Sequence, residues 1–69
     1  MMNIEIVTEN MKKIYAILCN LKSCTIFELQ NLTKIKDVDL CFALGRLLQD
    51  RRIYQKRIDN IVYYGVVTQ

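Results

Sequence analysis

The hydrophobic period of the chain changes once, at Asp50, and that change limits what the chain can fold into. Before it, apolar residues recur at steps of three and four; after it, they alternate along the chain. Val7, Met11, Ile14, Leu18 and Leu21 form one stripe, with Lys12, Lys13 and Asn20 off it, so Glu9 to Lys22 is expected as an amphipathic first helix capped by Thr8. Thr25 and Glu28 then stand three apart, the spacing at which a hydroxyl and a carboxylate satisfy two orphan amides at a helix start. A short second helix is expected over about Ile26 to Leu32. The connection Leu32-Thr33-Lys34-Ile35 is long enough only for a tight turn. Beyond it Leu40, Ala43, Leu44, Leu47 and Leu48 face one way in a third helix that ends near Gln49.

After Asp50, Ile53 to Ile58 and Ile61 to Val67 are rich in isoleucine, valine and tyrosine, and Asp59-Asn60 between them suits a two-residue turn with positive φ. A hairpin closed there pairs Arg57 with Val62, Gln55 with Tyr64 and Ile53 with Val66. The face carrying Ile53, Val62, Tyr64 and Val66 is the candidate core face. The opposite face leaves Ile58, Ile61 and Tyr63 in water, more apolar surface than a small monomer normally exposes. The expected class is therefore mainly α with a β-hairpin (α+β), three helices followed by a two-stranded unit, in one domain over residues 1–69. Residues 1–8 form an amino-terminal segment in which Ile4-Glu5-Ile6 alternates like an edge strand or covers the end of the core.

Composition narrows the function classes. A chain of 69 residues, 52% hydrophobic and without proline, is too apolar for disorder yet buries only about 60% of its unfolded surface, so a further source of stability is expected. Uncharged runs such as Ile14 to Leu21 fall far below the roughly 20 apolar residues of a membrane span, and no basic-then-apolar leader pattern opens the chain. A cytoplasmic protein with no membrane partner is expected. Cys19, Cys24 and Cys41 are odd in number and lack C-x-x-C spacing, and the chain has no histidine, so neither a metal site nor a cofactor is expected. Without histidine or a glycine-rich phosphate loop, no nucleophile, base and orienting group can be assembled, and an enzyme is not expected. Asp37 and Asp39 are expected at a helix start, where the dipole favours negative charge.

The run Glu28-Leu29, Thr33, Ile35, Leu40, Ala43-Leu44-Gly45, Leu47 and Ile53 resembles a small bacterial winged helix-turn-helix family of unknown function, whose pattern reads roughly E-L-x3-T-G-L-x4-L-x2-A-L-G-x-L-x5-I. The resemblance covers about Asn10 to Val66. It implies three helices followed by a two-stranded wing and a bacterial cytoplasmic setting, and it implies no activity. Lys34 and Arg51 stand where the family carries glycine; if those positions need left-handed backbone, each costs on the order of 1 kcal/mol. Gly45, in mid-helix, is expected to let another helix pass close by, most simply the first.

A winged helix conventionally places its third helix in the major groove and its wing on the backbone. Double-stranded DNA is thus the first partner to consider, with a role as a transcriptional regulator. Ten lysines and arginines against seven acids give a net charge of +3 and a pI near 8.9, a modest bias for a DNA binder. Arg51, Arg52, Lys56 and Arg57 are the candidates for phosphate contact, and Arg46 and Gln49, on an outward stripe with Asp39 and Phe42, for base contact. Lys34 and Lys36 complete the basic candidates, although Asp37 and Asp39 offset them. The competing expectation is an interaction or homodimerisation module that docks through Ile4, Ile6, Phe42, Ile58, Ile61 and Tyr63.

Overall fold

The structure, a computed structural model, describes residues 4–68. Its elements run α1 (Ile4–Leu21), β1 (Ser23–Thr25), α2 (Ile26–Thr33), α3 (Asp37–Gln49), β2 (Ile53–Ile58) and β3 (Ile61–Val66). The three helices lie with one antiparallel sheet of strand order β1-β3-β2. The chain is α+β, as expected, but the sheet has three strands and not two. β1 adds the third, pairing Ser23 with Gly65, Cys24 with Tyr64 and Thr25 with Tyr63.

The first helix begins earlier than its clearest apolar stripe. Ile4 and Ile6 are the first turn of α1, neither an edge strand nor a lid on the core: they are 72% and 51% exposed. Residues 1–3 of the amino-terminal segment lie outside the described residues. Thr8 is inside the helix, where its Oγ1 donates to the Ile4 carbonyl at 3.0 Å, so it is no cap. The buried line of α1 is Val7, Asn10, Ile14 and Leu18. Asn10 continues that line by the same three and four spacing, whereas Leu21 at the helix end is exposed.

α2 starts as the Thr25 and Glu28 spacing predicts. Glu28 N–H donates to Thr25 Oγ1 at 3.2 Å, and Thr25 N–H donates to Glu28 Oε1 at 2.8 Å. Thr33 ends the helix and shapes the turn: its hydroxyl donates to the Leu29 carbonyl and accepts from Ile35 N–H. Lys34 to Lys36 then connect to α3, and the Gln30 side-chain amide donates to Asp37 Oδ1 across the turn.

The core joins all these elements. Ile14 and Leu18 from α1, Leu29 from α2, Leu40, Ala43, Leu44 and Leu47 from α3, Cys24 from β1 and Ile53 from β2 are buried together, with Ile35 of the turn. Fully burying one such leucine or isoleucine contributes roughly 1.5–3 kcal/mol. The hairpin keeps the expected register, including Ile53 opposite Val66, Gln55 opposite Tyr64 and Arg57 opposite Val62. Asp59 (φ 51°) and Asn60 (φ 67°) supply the two left-handed residues of its turn.

The left-handed positions among the described residues are occupied without glycine. Lys22, Lys34 and Arg51 follow α1, α2 and α3 with φ of 70°, 61° and 58°, while neither Gly45 nor Gly65 has positive φ. At the end of α3, Arg51 N–H donates to the Leu48 carbonyl and Arg52 N–H to the Leu47 carbonyl, each at 3.0 Å. That crossed pair is the Schellman closure, whose first residue past the cap favours glycine. Lys34 and Arg51 thus both sit on backbone that prefers glycine. The cationic side chains offset part of the strain, because each lies at the negative end of a helix dipole.

Candidate functional site

The third helix carries the surface that most narrows function. Leu40, Ala43, Leu44 and Leu47 bury one side of it, so helical geometry points Val38, Phe42, Gly45 and Gln49 directly away from the core. Val38 is 74% exposed and Phe42 52%. An ideal Cβ on Gly45 would meet nothing within 4 Å among the described residues, so no described helix passes close to it and the expected packing against α1 is corrected. The outward line of α3 is therefore centred on apolar and small residues. It lies about 50° from the stripe of Asp39, Phe42, Arg46 and Gln49 expected from sequence, taking about 100° per residue. Val38 and Gly45 were legible in the same spacing: both fall opposite the mean direction of the four buried residues.

Charge divides along this helix. Asp37 and Asp39 occupy the first turn and Arg46 the last. Lys36 precedes the helix as its N-cap residue without a side-chain cap bond, and Arg51 and Arg52 follow it. Thirteen helical residues span roughly 20 Å at 1.5 Å each, so Lys34 and Lys36 at one end and Arg51 and Arg52 at the other form no single patch. Arg52 has a partner in the fold: its guanidinium lies 4.3 Å from the ring centroid of Tyr15 on α1, at cation–π distance. Arg51, Lys56 and Arg57 are exposed. Strand alternation puts Lys56 and Arg57 on opposite faces of the hairpin.

The apolar candidates form two groups. Ile4 and Phe42 line one shallow groove with Val7 and Arg46, where the first turn of α1 passes the outward side of α3. Ile58 pairs with Ile61 at the hairpin tip, and Tyr63 pairs with Lys56 behind them. Ile6 belongs to neither group and lies beside Glu5, Glu9, Asn10 and Lys13.

Titration marks two groups at the core boundary. Burial raises the Cys24 thiol above its ordinary pKa, and Glu28 adds to the effect. Burial likewise raises the Tyr64 phenol, with Cys41 contributing. Cys19 and Cys41 are exposed free thiols. Among the described residues, no group of three or more histidine, cysteine, aspartate or glutamate side chains is placed to hold a metal ion. No described helix is long and apolar enough to cross a membrane. No protein-family model matches the chain, and no curated protein matches it.

Proposed function

We propose that the chain is a cytoplasmic, non-enzymatic winged helix-turn-helix domain that serves as a protein-docking module, with the outward face of α3 as its docking surface. Two helices joined by a three-residue turn and followed by a hairpin support the fold reading, as does the resemblance carried by Glu28-Leu29 through Ile53. One observation carries the function: the residues that α3 turns outward are Val38, Phe42, Gly45 and Gln49, three of the four apolar or small, with Asp37 and Asp39 in the first turn. A groove-reading helix needs donors and acceptors there and positive charge near phosphates. Exposed aromatic and aliphatic groups beside a glycine fit another protein surface better.

A second reading is duplex DNA binding in a transcriptional regulator, favoured by the exposed side chains of Arg51, Lys56 and Arg57 with Arg46 and Gln49. Fluorescence-anisotropy titration of mixed-sequence duplex DNA at low and moderate salt separates the two. The docking reading expects no steeply salt-dependent binding and no change when Arg51, Lys56 and Arg57 are neutralised. Binding that weakens with salt and is lost in Phe42→Glu would replace it with the DNA reading.

A further inference from the structure

The charge pattern of α3 identifies the occupant of its outward face. We infer that it is a second copy of this chain, with the two α3 helices packed antiparallel about a twofold axis and Phe42 of each copy seated against Gly45 of the other. This inference rests on the docking reading above and adds the partner and the register.

Three observations converge on that arrangement. First, Val38, Phe42, Gly45 and Gln49 follow one another at steps of four, three and four, the spacing of a seam between two helices. Second, Gly45 is a mid-helix glycine, which weakens a helix relative to alanine, and a Cβ there would meet nothing within 4 Å among the described residues. In a twofold pair it becomes the hole for a knob, and Phe42, three residues away and half exposed, is the side chain of matching bulk. Pairing Phe42 with Gly45 also sets Val38 against Gln49, so the whole outward line is used.

Third, the ends of the helix are complementary to themselves when reversed. The first turn carries Asp37 and Asp39 with Lys36 before it, the last turn carries Arg46 with Asp50 and Arg51 after it, and helical geometry puts Asp39 and Arg46 on the same flank of the outward line. Antiparallel packing about Phe42 and Gly45 brings Asp39 of each copy beside Arg46 of the other, on the same flank, and opposes the two helix dipoles. A parallel pair would set like charge on like charge. Ile4, which shares the groove of Phe42 and Arg46, extends the surface beyond the helix pair. Two helices alone bury less than the ~800 Å² per partner of a standard interface, so a weak dimer in exchange with monomer is expected.

Sedimentation velocity of the full chain, from micromolar to near-millimolar concentration, tests this. Wild type is expected to shift from monomer to dimer. Phe42→Glu should weaken association at least about tenfold, or 1.4 kcal/mol. Gly45→Gln should do the same while circular dichroism shows an intact and more heat-stable helix, because a Cβ at this position meets nothing within 4 Å among the described residues and glutamine favours helix over glycine. Asp39→Lys and Arg46→Glu should each weaken the dimer, and the double variant should recover it. A monomer at every concentration, or a dimer indifferent to Phe42→Glu and Gly45→Gln, overturns the inference of a second copy on this face. That failure is distinct from failure of the docking reading, which the duplex titration detects as DNA binding lost in Phe42→Glu.

Discussion

The ring of Tyr54 lies across Gly65, so closely that a Cβ added to Gly65 would come within 2.5 Å of Tyr54 Cζ. The two residues face each other on neighbouring strands, and the aromatic ring fills the place that glycine leaves empty. A strand glycine otherwise weakens a sheet; here the ring covers its backbone. In wild type, Gly65→Ala is expected to displace the ring and to be neutral or destabilising by up to about 1 kcal/mol. In a Tyr54→Ala background the same change should stabilise by several tenths of a kcal/mol, since alanine loses less backbone freedom than glycine. Urea unfolding of the four proteins in this cycle measures the coupling; purely additive effects would mean that the ring does not depend on the glycine.

Glycine at the helix ends should stabilise the fold. Lys34→Gly and Arg51→Gly each relieve a left-handed residue and are expected to gain roughly 0.5–1 kcal/mol, a rise of a few degrees in melting temperature for a domain of this size. Loss of stability in both would show that their side chains matter more than their backbone.

Removal of the cap at the start of α2 should act in the opposite direction. Thr25→Ala deletes the acceptor for Glu28 N–H and is expected to lower stability by about 1 kcal/mol. Thr25→Ser keeps the hydroxyl and should recover most of that loss in the same thermal melt.

Alkaline pH should weaken the fold through Cys24 and Tyr64. Burial raises both pKa values in the folded state, so the fold favours the protonated thiol and phenol. Their contribution is complete below the ordinary values, near pH 9 for the thiol and 10 for the phenol, and is lost as pH rises through the folded values. Urea midpoints followed upward from neutral pH should therefore fall at alkaline pH, and Cys24→Val with Tyr64→Phe should flatten that fall. Equal pH dependence in wild type and the double variant would assign the effect elsewhere.

The sequence was most informative where one residue type carries a geometric demand. Asp59-Asn60 fixed the hairpin turn, and through it every pair of the ladder; Thr25 and Glu28 fixed the start of α2. The register and the cap match the expectation because both are local. β1 was not legible, since three residues cannot display a period and Ser23-Cys24-Thr25 acquires its strand character only from pairing with β3. The start of α1 is hidden in the sequence because Ile4 and Ile6 alternate over too short a stretch, and because Asn10, a polar residue on the buried line, interrupts the apolar stripe. Gly45 was recognised as costly, but sequence alone could not tell a neighbour within the chain from open space. The outward face of α3 followed from which side is buried, and that required only the directions of Leu40, Ala43, Leu44 and Leu47.

Thr25 has two duties: it is the last residue of β1, paired with Tyr63, and its side chain caps α2. Strand and helix consequently meet with no residue to spare. Inserting or deleting a single residue between Ser23 and Glu28 would rotate α2 by about 100° relative to the sheet, or turn the Cys24 side chain to the opposite face. The junction of β1 and α2 thus contains no loop in which a change of length could be absorbed.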